Sequence, residues 1–168
     1  MTTYRDVHVD LLLDEVVRAF ESNGSIKAPN WAHFAKTGRG RQRSPDQADW
    51  WSRRCAAVLR KVAMDGPIGT NHLAQAFGST QNRGVWPNAA ASGSRSVVRK
   101  ALQQLEDAGL VSKVHSKIIE VDDGDGNLEE VQLYRGRIIS PQGQKLLDEC
   151  AHAARPQAEA RAPSLERY

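Results

Sequence analysis

Two cysteines in 168 residues, Cys55 and Cys150, are too few and too far apart to frame a disulfide scaffold or a zinc site. Both lie in apolar helical patterns, and each reads as a buried free thiol. No apolar run approaches the roughly 18 residues that a membrane span needs. The first residues, MTTYRDVHVDLL, put acids where a secretion signal has bases and then an unbroken apolar stretch. A cytosolic chain with no membrane partner is therefore expected. The five histidines, His8, His33, His72, His115 and His152, show neither HExxH nor paired ligand spacing, and there is no recognisable Ser/His/Asp arrangement or internal repeat. Nothing signals an enzyme, and no cofactor, metal or small-molecule substrate is expected.

What is present is one core's worth of apolar residues, 40% of the chain, which predicts a single domain over residues 1–154. A Pro/Ala/Arg/Glu tail, 155–168, is expected to be flexible on its own. The net charge of +3 understates the local basicity. Glu120, Asp122, Asp123, Asp125, Glu129 and Glu130 fall in a stretch without Lys or Arg, which leaves +9 on the rest of the chain. A basic body with a pI near 9.0 suggests a polyanionic partner, most often nucleic acid.

Periodicity places a first helix from about Asp6 to Ser22, closed by Asn23-Gly24. A brief helix anchored by Trp31 and Phe34 follows, then a solvated loop, Lys36 to Arg43. Ser44-Pro45-Asp46-Gln47 has the pattern of a capping box, so a central helix is expected to start there and run to Met64. A short helix over Thr70–Phe77, a long loop over 78–91 and a helix over Ser94–Ala108 come next. Two β-rich runs, Leu110–Val121 and Leu128–Ile139, form a hairpin around a Gly/Asp/Asn loop, and Ser140-Pro141 starts a last helix to about Ala154. Helix, short helix, longer helix and hairpin make a mainly α winged helix, a helix-turn-helix variant, here with an extra helix at each end and a long wing.

Three features point to an anionic partner. In the helix after Ser94, Arg95, Arg99 and Lys100 sit in the first half and Glu106 and Asp107 in the last turn, opposite to what the macrodipole favours; an anion at the helix start accounts for this. On the central helix, Trp51, Cys55, Val58, Leu59 and Val62 form a core stripe, while Trp50, Arg53, Arg54, Ala57, Arg60 and Lys61 form an adjoining arc. The loop before it adds Lys36, Arg39, Arg41 and Arg43, with glycines that let a backbone approach phosphates. Arg83 lies in a turn ahead of the basic helix start. Trp86 is placed either to stack on an unpaired base or to pack the loop. The alternation of Asp123, Asp125, Asn127 and Glu129 resembles a calcium loop but has Leu128 and Tyr134 where Gly and Glu belong, and is read as a solvent-exposed hairpin tip.

Taken in order, several segments resemble the S19e family of small-subunit ribosomal proteins: Pro29-Asn30-Trp31, Lys36-Thr37-Gly38, Asp49-Trp50-Trp51 with Arg54, Leu59-Arg60-Lys61, and Gly66-Pro67-Ile68-Gly69. Asn82-Arg83-Gly84-Val85, Ala91-Ser92-Gly93-Ser94, the run from Val98 to Glu106 and Ser140-Pro141-Gln142-Gly143 extend the resemblance over roughly residues 5–150. The resemblance implies a structural protein of the small-subunit head that binds ribosomal RNA, adjoins other head proteins and supports maturation of the RNA. It implies a cytoplasmic, ribosomal location, nucleolar during assembly if the source has a nucleolus. Arg53 stands where relatives have an apolar residue, which enlarges the basic face. The alternative is a winged-helix DNA-binding transcription regulator, for which LEDAGLV (105–111) is a common local pattern. Against it, a wing with six carboxylates would be repelled by a DNA backbone.

Overall fold

The computed structural model describes residues 2–122 and 128–162. The acidic hairpin tip at 123–127 and residues 163–168 lie outside them. Among the described residues there are five α-helices and four strands: α1 (Val9–Asn23), α2 (Trp50–Asp65), α3 (Thr70–Ala76), β1 (Ser79–Arg83), β2 (Trp86–Ala91), α4 (Arg95–Asp107), β3 (Val111–Asp122), β4 (Leu128–Ile139) and α5 (Pro141–Arg161). The strands form two antiparallel pairs, β1 with β2 and β3 with β4. A mainly α chain with a single hairpin is thus corrected to five helices with two small hairpins.

The core is built as the apolar spacing demands. Trp51, Cys55, Val58, Leu59 and Val62 of α2 are buried, as are Leu11, Val16 and Phe20 of α1 and Val97, Val98, Ala101, Leu102 and Leu105 of α4. α2 packs against both α1 and α4, α3 packs against α4, and α5 lies along α1. Trp51 is fully enclosed, yet its indole N–H reaches the Gln104 side-chain oxygen at 2.9 Å, and the Gln104 amide donates to Lys27 O at 2.7 Å. Its polar atom is thereby satisfied inside an apolar site. Trp31 and Trp50 both meet Trp51 edge-on, with centroids 5.5 Å away.

Four expectations change. α2 begins at Trp50, with Asp49 in the cap position and no side-chain cap bond, so Ser44–Gln47 is not a helix start. The residues from Ser44 to Asp49 contribute no large apolar side chain to the core, and helices in proteins are held mainly by an apolar face. The brief helix after the first is the 3-10 helix Asn30–His33, which sets Trp31 against Trp51 and buries Ala32, but Phe34, just past its end, is 87% exposed and is no anchor. The supposed loop 78–91 is the β1/β2 hairpin, turning at Gly84 with a positive φ of 69°, as hairpin turns require. Finally, α5 continues past Ala154 to Arg161, and Ala158 is buried, so the tail is helical up to that point.

The β3/β4 hairpin is fixed to the body at its base. Ile68 and Arg137 exchange backbone bonds at 3.0 and 3.1 Å, and Glu106 of α4 takes Lys113 at 2.8 Å and Arg137 at 2.9 Å. Burial opposes charge on Glu106, but the bonds from Lys113 and Arg137 outweigh it and hold the carboxyl below its ordinary value. One of the two acids that run against the α4 macrodipole is therefore explained by two bases on the β3/β4 hairpin. No described helix is long and apolar enough to cross a membrane.

Candidate nucleic-acid interface

The arm from Lys36 to Arg43 is not a free solvated loop. Gly38 pairs with Gly93, Ser94 N donates to Thr37 O at 2.8 Å, and Gly93 N donates to Ala74 O at 2.8 Å. A Cβ on Gly38 would lie 3.1 Å from Gly93 Cα, and one on Gly93 would lie 2.7 Å from Phe77 O. Only glycine permits such close backbone approach. The two glycines thus serve this seam, which joins the arm, the end of α3 and the start of α4. The arginines interleaved with the glycines keep their side chains outside: Arg39, Arg41 and Arg43 are exposed.

The seam sets the arm beside α2, and between them lies an open cleft of about 750 Å³. Arg41 and Arg43 of the arm line it together with Trp50, Arg54 and Ala57 of α2 and with Phe77. No carboxylate is among the lining residues. The Arg54 guanidinium lies 4.6 Å from the centre of the Phe77 ring, a cation–π arrangement. Burial, and then the positive charge of Arg41, pull Arg54 below its ordinary value. Phe77 was not among the residues singled out by sequence; its signal is its place at the end of a short helix, just before Gly78.

The remaining cations divide into two groups. Arg53 is bound at 3.1 Å to Asp49 and also to Asp14 of α1, and Lys61 is 3.1 Å from Asp65. The hydrogen bond that Arg53 donates to Asp49 is the main cause that lifts its guanidinium above its ordinary value. Arg53 therefore joins α1 to α2 instead of enlarging a free basic face. Arg95, Arg99 and Lys100, by contrast, are exposed and have no ion-pair partner among the described residues. Ser94 makes no side-chain cap bond to the α4 backbone, so the first N–H groups of that helix have no capping side chain. Arg60 is half-buried, with its Nε shielded and without a partner among the described residues.

Arg83 projects at the β1/β2 turn, where Val85 is fully exposed and Trp86 is 67% exposed. Most of the Trp86 ring therefore faces solvent. Lys36, at the arm's origin, is exposed. The structure thus brings Arg41, Arg43, Trp50, Arg53 and Arg54 to one cleft and puts Arg39 in a second hollow, against the hairpin base with Ser79 and Ala91. The β1/β2 turn carries Arg83 and the start of α4 carries Arg95, Arg99 and Lys100, while Lys36 lies at the arm's origin and Arg60 and Lys61 on α2. Among the described residues no group of three or more His, Cys, Asp or Glu is placed to hold a metal ion.

Comparison with known proteins gives one consistent result. The family model described as ribosomal protein S19e matches residues 3–157. The small ribosomal subunit protein eS19 of Haloarcula marismortui is 37% identical over 172 aligned positions, covering 100% of this chain and 99% of the relative. That of Aeropyrum pernix is 39% identical over 170, with the same coverage. The small ribosomal subunit protein eS19G of Ascaris suum is 32% identical over 154, covering 92% of this chain and 93% of its own.

Proposed function

Because this chain belongs to the ribosomal protein S19e family, we propose that it is built into the small-subunit head, binds ribosomal RNA there and supports assembly of the subunit and maturation of its RNA. The observation that carries the RNA contact is the partition of its cations. Arg95, Arg99 and Lys100 at an uncapped helix start have no internal partner among the described residues, and Arg41 and Arg54 share a cleft lined by no carboxylate. Such cations gain most from phosphates, since binding costs them no internal ion pair.

The proposed surface comprises Lys36, Arg39, Arg41, Arg43, Trp50, Arg54, Arg60, Arg83, Arg95, Arg99 and Lys100, with Arg53 and Lys61 at its margin, held by the chain's own carboxylates. Its spread over arm, helix and hairpin suits an irregular folded RNA better than one groove of a duplex. In fold, α2, α3 and α4 with the β3–β4 ribbon as wing correspond to a winged helix, with α1 and α5 as additions. The reading calls for no catalysis and no cofactor, and places the chain in cytoplasmic ribosomes, with a nucleolar stage where the source has a nucleolus.

The test is sucrose-gradient fractionation of a lysate in moderate salt with the tagged chain. Co-migration with small subunits is expected, and charge reversal at Arg95 and Arg99 should release a folded chain to the top of the gradient. A free wild-type dimer that shifts duplex DNA would replace this reading with a transcription regulator.

A further inference from the structure

The cleft between the arm and α2 differs in kind from the rest of the basic surface. Arg95, Arg99 and Lys100 stand on an exposed helix start and can meet any phosphate backbone. The cleft is concave, and its volume of about 750 Å³ falls within the range of small-ligand sites, too small for a paired helix. Inside it Arg54 is half-buried, held on the face of Phe77, and stands near a second cation, Arg41. A partly desolvated charge without a counter-charge is costly, and arginine cannot relieve the cost by losing its proton. An anion between the two guanidinium groups is what settles them.

A phosphate alone leaves the other wall unused. Trp50, half-buried against the core and at right angles to Trp51, gives the cleft an aromatic ring, and Gln42 and Gln47 add amides that both donate and accept hydrogen bonds, as base edges require. Phosphate, flat ring and polar edge together describe a nucleotide that has left its helix. Resting on the reading that the basic face meets RNA, we propose that this cleft holds one unpaired nucleotide, its phosphate between Arg41 and Arg54 and its base against Trp50. Stacking on an aromatic tolerates every base, so the cleft selects an unpaired nucleotide over a paired one and has little preference for sequence.

The full-length chain is tested by fluorescence anisotropy at one fixed salt concentration, against a fully paired RNA hairpin and the same hairpin with one bulged nucleotide in its stem. The wild type is expected to prefer the bulged RNA by about tenfold or more, as stacking one base on an aromatic supplies. Trp50→Leu should bring the ratio of the two affinities to about one. Arg41→Gln, in the exposed arm and away from the core, should lower it as well, and it decides the matter if Trp50→Leu unfolds by circular dichroism. Equal wild-type binding to both RNAs overturns the nucleotide cleft and leaves the broader RNA reading standing. Binding to neither overturns the broader reading. A preference that survives in a folded Trp50→Leu and in Arg41→Gln shows that the bulge is held elsewhere and also overturns the proposal.

Discussion

Replacing Arg53 and Arg99 by glutamine, one at a time, separates a cation that serves the fold from one that serves RNA. Arg99 is exposed on α4 and unpaired among the described residues, so each phosphate it neutralises releases about one counterion. Arg99→Gln should therefore reduce the slope of log affinity against log salt by about 0.7 to 0.9, a five- to eightfold loss at about 0.1 M salt relative to 1 M. Its melting temperature should stay within about 1 °C of the wild type, as expected of an exposed surface position. Arg53 is already neutralised by Asp14 and Asp49 and is 33% exposed, against 40% and 41% for the two carboxylates. Solvent screening limits those pairs to about 0.5 kcal/mol each. Arg53→Gln should lower the melting temperature by about 2 to 4 °C, the scale for about 1 kcal/mol in a chain of this length, and leave the salt slope nearly unchanged. Filter binding of a small-subunit RNA fragment over a salt series, with thermal melts alongside, reads both quantities. An equal loss of slope in the two variants would refute the reasoning, because an internally paired guanidinium would then be acting as a free one.

Three further outcomes follow from the structure. Because Glu106 is held below its ordinary carboxyl value of 4.5, the unfolded chain binds more protons there, and the stability it supplies is complete above that value and lost as pH falls through the lower, folded one. Glu106→Gln should flatten this part of the acid-side stability curve by about 1 kcal/mol, measured by denaturant titration between pH 3 and about pH 6; an unchanged curve would sever Glu106 from the wing. Gly93→Ala puts a carbon 2.7 Å from Phe77 O and 3.3 Å from Ala74 O, both backbone atoms, and should cost about 1 to 3 kcal/mol in a thermal melt, whereas full retention of stability would mean that the seam gives way freely. Cys55 and Cys150 are buried, and burial is the main cause that raises their thiols to about 12 and about 11. Iodoacetamide at neutral pH should leave both unmodified in the folded chain and label both in denaturant, as mass spectrometry would show.

The helices with a strong apolar stripe were legible from spacing alone. Trp51, Cys55, Val58, Leu59 and Val62 repeat so regularly that α2 and its buried face needed no further help. The start of α2 was misread because Ser44-Pro45-Asp46-Gln47 satisfies a local capping rule while offering the core nothing to bury. The β1/β2 hairpin was missed for a related reason: STQNR and WPNAAA hold a single β-branched residue, Thr80, and no apolar alternation, while Ser79, Asn82, Pro87 and Asn88 read as turn residues. At the candidate site, the types and rough clustering of the cations were visible, but their pairing was not. Arg53 finds Asp14 from a different helix, and nothing in the local sequence of either residue announces that contact. The glycines of the arm were assigned to phosphate approach, when two of the residues they touch, Gly93 and Ser79, are distant in the chain.

The Gly38–Gly93 seam bears on how this chain can tolerate change. Its two sides are joined backbone to backbone, so beside it the seam constrains the number of residues more tightly than it constrains which residues they are. An exchange of Arg for Lys at 39, 41 or 43 leaves the seam untouched, whereas one residue inserted at Gly38 or Gly40 would move each arginine beyond it out of register with α2. Near the seam, then, length is the property under constraint; away from it, between Arg43 and Asp49, no such backbone bridge holds the chain, and an added residue would be absorbed.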